Sequence, residues 1–90
     1  MALNKKSKSE NIKEIWIGVN DSTKIRIELT EFKGVNRFDI REYVETEKYT
    51  GFTKKGINLP TEFLEEIYNS LGKILETAKS EDLFNPKEEE

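Results

Sequence analysis

Cysteine and histidine are both absent from this chain of 90 residues. Their absence removes the thiol nucleophile, the histidine base of a catalytic triad and the usual zinc-ligand sets. It also removes any disulfide framework, which makes an intracellular compartment the simpler expectation. No glycine-rich phosphate loop occurs, and no apolar run approaches the roughly 20 residues of a membrane span. Residues 1–13 lack the apolar stretch of a signal peptide. Asp39 with Glu28 or Glu42 is the nearest approach to a catalytic carboxylate pair, but strand acids beside arginines serve mainly as ion-pair partners. These absences predict a non-enzymatic protein without metal or cofactor. The expected location is the cytoplasm, with the nucleoid, or the nucleus where the source has one.

Charge is what the chain has in quantity. Charged residues make up 37% of it and hydrophobic residues 34%, which is polar for a compact domain and predicts unfolded ends. Residues 1–13 carry net +3 and residues 76–90 net −4, so the global pI near 5.1 derives largely from a tail. A low overall pI therefore does not exclude a nucleic-acid partner, because the distribution of charge matters more than its sum. The expected organisation is a basic tail over 1–12, one folded domain over 13–77 and an acidic tail over 78–90.

Within that domain the hydrophobic period changes once. Between Ile15 and Leu59 apolar and polar residues alternate in short runs separated by turn-forming residues. This predicts four antiparallel strands over residues 14–19, 24–32, 36–45 and 52 to about 58. From Pro60 onward Leu64, Ile67, Leu71, Ile74 and Ala78 recur at helical steps, with Phe63 and Leu75 widening the stripe. Pro60 suits the first turn of such a helix, and Glu62, Glu65 and Glu66 complement its dipole. The fold class is therefore α+β: a four-stranded meander followed by one amphipathic helix, with one sheet face for the helix and one left over.

Period-two geometry assigns the leftover face. If Ile25, Ile27 and Leu29 point inward, then Lys24, Arg26, Glu28, Thr30 and Phe32 point outward. By the same parity Trp16 points outward from the first strand, and Arg37, Asp39, Arg41 and Tyr43 from the third. Unpaired bases stack on exposed aromatics while lysine and arginine meet the phosphates, so this mixture suits single-stranded nucleic acid. Two other readings stay open on pattern alone. A β-bulge or a dimer contact would cover Phe32 and Trp16, and cross-strand ion pairs with Glu28, Asp39 and Glu42 would occupy Arg26, Arg37 and Arg41.

Three segments in order, EFKG (Glu31 to Gly34), DIREY (Asp39 to Tyr43) and KKGINL (Lys54 to Leu59), precede the amphipathic helix. Together they resemble the single-stranded-DNA-binding domain of the transcriptional positive cofactor four family, from about Ile15 to Leu75. The resemblance implies a homodimer seamed by Leu64, Ile67, Leu71, Ile74 and Leu75, whose sheets bind single strands. It implies stacking by Phe32 and backbone contacts from Lys33, Arg41, Lys54 and Lys55; Gly56, by itself, permits a bulge or a close backbone approach. Arg26 and Arg37 are added from the strand pattern. Val44 stands where the family commonly has a second stacking tryptophan, which leaves Trp16, Tyr49 or Phe52 to replace that ring.

Two functions of different classes follow. The first is sequence-nonspecific binding of single-stranded DNA, with RNA as a variant, in transcription, replication or repair and in contact with that machinery. The second is a protein-interaction or structural dimerisation module using the same sheet, since aromatics and arginine are also enriched at protein interfaces.

Overall fold

The structure, a computed structural model, describes residues 11–86. The expected basic tail falls largely on residues 1–10, and the terminal glutamates on 87–90; both lie outside the described residues. Four strands form one antiparallel sheet in sequence order: β1 (Glu14–Gly18), β2 (Thr23–Phe32), β3 (Val35–Glu45) and β4 (Thr50–Pro60). A 3-10 turn, Thr61–Phe63, leads into α1 (Leu64–Ser80).

Local chemistry sets the hairpins. Between β1 and β2 the Asn20 side chain accepts from the Ser22 amide at 2.9 Å, closing a short Asx turn. Lys33 and Gly34 link β2 to β3 as a two-residue turn with φ of 53° and 81°. Positive φ at both central positions is the hairpin geometry whose twist matches the flanking strands. Glycine takes that conformation freely, whereas Lys33 is held there by the Phe32–Val35 pairing on either side.

Register settles which residues share a face. Arg26 stands opposite Trp16 on one side and Arg41 on the other, and Glu28 opposite Asp39. Lys24, Tyr43 and Phe52 form the next row toward the β3–β4 loop. A bulge between Arg41 and Tyr43 interrupts the pairing with β4. The opposite face carries Ile15, Ile17, Ile25, Ile27, Leu29, Phe38, Ile40, Ile57 and Leu59, in line with the alternation of the sequence.

Several expectations are corrected at the helix. Pro60 ends β4 opposite Arg37 rather than opening α1, which an edge strand permits because a residue without an N–H costs no ladder bond there. The helix runs on to Ser80. Leu83 donates to the Ala78 carbonyl at 2.8 Å and Asp82 to that of Lys79 at 3.3 Å, with Asp82 at φ 56°. This is a Schellman closure, with aspartate where glycine is usual.

The largest departure is where α1 goes. Its contacts are with the 3-10 turn before it and only marginally with strands, so the sheet's apolar face is left largely uncovered. Phe38 is the one apolar side chain fully buried among the described residues. The radius of gyration is 16.3 Å, against about 12 Å for a compact chain of this length. The expectation that the helix covers one sheet face therefore fails within a single chain. Only the start of α1 reaches the sheet, where Leu64 borders a depression with Ile15, Ile27, Leu29 and Phe38.

Candidate nucleic-acid interface

The polar face has an ionic centre and an aromatic group at each end. At the centre is Asp39, 6% exposed. Its Oδ1 accepts from Arg41 Nη2 at 2.9 Å and from Asn58 Nδ2 at 3.1 Å, and its Oδ2 lies 3.7 Å from Arg26 Nη2. The Arg41 guanidinium, as hydrogen-bond donor and as neighbouring charge, holds the Asp39 carboxyl below the usual carboxylate range, against the opposing effect of burial. In return the Asp39 hydrogen bond raises Arg41 above its ordinary value.

Arg26 is engaged from several sides. It pairs with Glu28 at 2.9 Å and reaches Glu14 at 4.0 Å, and its guanidinium carbon stands 4.1 Å from the Phe52 ring centroid. Its Nε is buried and makes no hydrogen bond. Arg37 donates through Nε to the Asn58 side chain and through Nη2 to the Asn58 carbonyl at 3.3 Å. Arg41 also donates to the Lys54 carbonyl at 3.2 Å, tying β3 to the bulged stretch of β4. Gly56 makes room for this arrangement, since a Cβ there would stand 2.3 Å from the Ile40 carbonyl oxygen and 3.0 Å from Arg41 Cζ. Of the cross-strand ion pairs expected from pattern, the one joining Arg26 to Asp39 is present; the pairs of Arg26 with Glu28 and of Arg41 with Asp39 each lie within one strand. Glu42 instead accepts from Thr53 at 2.8 Å.

At the β2–β3 turn the Phe32 ring is 64% exposed on the polar face, with Lys33 Nζ 5.3 Å from its centroid. No bulge returns it to the core, because β2 pairs with β3 without a break through Phe32 and Val35. At the other end Trp16, Tyr43 and Phe52 form a cluster with centroids 5.0 to 5.9 Å apart. Tyr49 lies in the adjoining loop, where its hydroxyl donates to the Phe52 carbonyl. Lys54 and Lys55 are exposed along β4. Val44, opposite Gly51, is one residue out of phase with Tyr43 and so belongs to the other face.

Sequence reasoning missed Lys24, Tyr43 and Phe52 as members of one group, and Asp39 as the hub of the arginines. Parity placed Lys24, Tyr43 and Asp39 outward; the pairing register, invisible in the sequence, brought the groups together.

The family model for transcriptional coactivator p15 (PC4) matches residues 19–70, more than half of the chain. The chain belongs to the PC4 family. That family comprises non-enzymatic transcriptional coactivators with single-stranded-DNA-binding activity. The PC4 match spans β2, β3, β4 and the first part of α1, including Phe32, Lys33, Arg41 and Lys54 to Gly56. It leaves out β1 and therefore Trp16. Comparison with curated proteins and with solved structures finds no match.

Proposed function

We propose that this protein binds single-stranded DNA without sequence preference across the polar face of its sheet, acting as a homodimer in transcription, replication or repair. The observation that carries the reading is Phe32, an aromatic ring turned to solvent beside Lys33 in a chain of the PC4 family. Stacking on such a ring is indifferent to sequence because every base has a π-face.

The charge pattern refines the roles. Arg26 and Arg41 already face Glu14, Glu28 and Asp39, and Arg37 is bonded to Asn58, so the centre of the face is close to neutral. Phosphate attraction then rests chiefly on the lysines around it: Lys33 at the turn, Lys24 beside Trp16, and Lys54 and Lys55 on β4. Arg37 and Arg41 serve as donors at fixed positions, held by their partners at low conformational cost.

The homodimer follows from unsatisfied apolar surface. Leu71 is 58% and Ile74 67% exposed on α1, Leu64 and Leu75 are also exposed, and Ile15, Ile17 and Ile57 lie open on the sheet. Apolar exposure of this extent marks an interface, and a domain of this size gains stability from a partner. Ile67, partly covered, continues the same stripe.

The deciding experiment is a fluorescence-anisotropy titration of matched single- and double-stranded oligonucleotides at two salt concentrations, with an RNA strand as a third arm. Micromolar or tighter binding to the single DNA strand, weaker binding to duplex and a log–log salt slope near −0.7 per phosphate contact are expected. No binding at tens of micromolar protein would leave the protein-interaction module as the better account.

A further inference from the structure

We infer that Leu83 and Phe84 form a hook that locks two copies of the chain together: the Phe84 ring of one copy fills the apolar depression beside the start of α1 in the other. This rests on the reading of the protein as a homodimer. It assigns a role to residues on either side of the stretch that the PC4 model matches, since both the hook and Ile12 and Ile15 of the depression lie outside residues 19–70.

The end of the helix builds the hook. The Schellman closure at Asp82 turns the chain back on α1, and a closure of this kind sets the residue after it against the last turn. Leu83 and Phe84 are nonetheless 58% and 60% exposed, two neighbouring apolar side chains directly after Glu81 and Asp82. Phe84 lines one open apolar groove with Leu71, Ile74, Leu75 and Ala78. It therefore continues the stripe of α1 past the last turn of the helix.

The receptor lies at the other end of the helix. Leu64, with Ile12, Ile15, Ile27, Leu29 and Phe38, lines a depression of about 190 Å³. Apolar cavities of about 150 Å³ take up benzene, so a phenylalanine ring fits this one. A chain cannot fill its own depression, because the 17 residues of α1 set Phe84 roughly 25 Å from Leu64. A second copy can. When two α1 stripes meet antiparallel across a two-fold axis, the end of each helix lies on the start of the other, and Phe84 of one copy reaches the depression of its partner twice over. A parallel pair would instead set Glu62, Glu65 and Glu66 of the two copies side by side, where like charges repel. The antiparallel pair brings Lys73 and Lys79 toward those glutamates, and Lys13 on the rim of the depression toward Glu81 and Asp82 of the hook.

The chain has no cysteine, so a pair of introduced thiols reports on one contact alone. The test measures the dimer dissociation constant of the full chain and of Phe84→Ala by sedimentation equilibrium. In parallel, a variant carrying both Ile15→Cys and Phe84→Cys is oxidised at dilute protein and sized without reductant. Phe84→Ala should raise the dissociation constant roughly tenfold to a hundredfold, the effect of losing one buried phenylalanine side chain. Its far-UV circular dichroism should match the parent's, because Phe84 is exposed within a single chain. The double variant should become a covalent dimer. Either single variant should stay largely unlinked, because an antiparallel pair holds the two copies of each position too far apart for a disulfide. If the parent sediments as a dimer while Phe84→Ala dissociates no more readily, or while the double variant fails to link, the hook is refuted and the homodimer stands. A parent that sediments at the mass of one chain overturns both.

Discussion

Asp39 and Arg41, two residues apart on β3 and on the same side of the sheet, form a 2.9 Å ion pair in which the carboxylate is nearly buried. The pair links the two neighbouring strands to β3, because Asp39 also faces Arg26 on β2 and accepts from Asn58 on β4. A residue of the proposed binding face is thus also part of what holds the sheet together.

That linkage makes stability depend on pH in a defined direction. The Asp39 carboxyl is held below its ordinary value of 3.8, so it binds fewer protons in the folded chain than in the unfolded one. Its stabilisation is complete above the unfolded value and is lost as pH falls through the depressed folded value. Asp39→Ala is expected to cost about 3 kcal/mol at neutral pH, since it leaves Arg26 and Arg41 facing each other without their shared carboxylate. Urea unfolding at pH 7 and in steps below pH 4 should show the gap between variant and parent closing as the acid range is entered.

The same pair predicts a gain in DNA binding. Asp39→Asn keeps a hydrogen-bond acceptor beside Arg41 and Asn58 but removes one negative charge from the face. Single-strand affinity should rise and the log–log salt slope should steepen by about 0.7 as one arginine becomes available to phosphate. An unchanged slope in anisotropy titrations would show that both arginines stay sequestered.

Phe32 and Lys33 are expected to separate stacking from charge. Phe32→Ala should weaken single-strand binding by about 1–3 kcal/mol with the salt slope intact. Lys33→Ala, and Lys55→Ala on β4, should each flatten the slope by about 0.7. Indistinguishable salt profiles for the Phe32 and Lys33 variants would contradict this division.

Gly56→Ala tests the close approach of β4 to β3. The added carbon would stand 2.3 Å from a backbone oxygen, closer than packed atoms tolerate, so strand or side chain must move. A loss of about 1–3 kcal/mol in stability is expected. Weaker DNA binding should accompany it, because Arg41 Cζ lies 3.0 Å from the same position. Thermal unfolding and anisotropy titration measure the two effects separately.

The apolar stripe of α1 predicts the assembly. Sedimentation equilibrium should give twice the 10.5 kDa chain mass, and Ile74→Lys should shift the protein toward monomer. The charge would be buried without a counterion in the dimer and solvated in the monomer. The variant should also unfold more readily, because the uncovered chain buries little apolar surface of its own.

The sequence by itself determined the order of strands and helix and the side of the sheet on which Phe32, Trp16, Arg41 and Tyr43 lie. That information is local: a period of two sorts neighbouring residues to opposite faces whatever the sheet's partners. The Lys33-Gly34 turn is local for the same reason, being fixed by the backbone freedom of the glycine and the strand pairing beside it. Tertiary structure alone decided which outward residues meet. Trp16 reaches Tyr43 and Phe52 only through the pairing of β1, β2, β3 and β4, and Asp39 gathers Arg26 and Asn58 only through the register on either side of β3. The course of α1 was likewise beyond the pattern, since an amphipathic stripe records that a helix must be covered and not which surface covers it. In this chain its own sheet does not, which is the physical reason the protein is expected to exist in pairs.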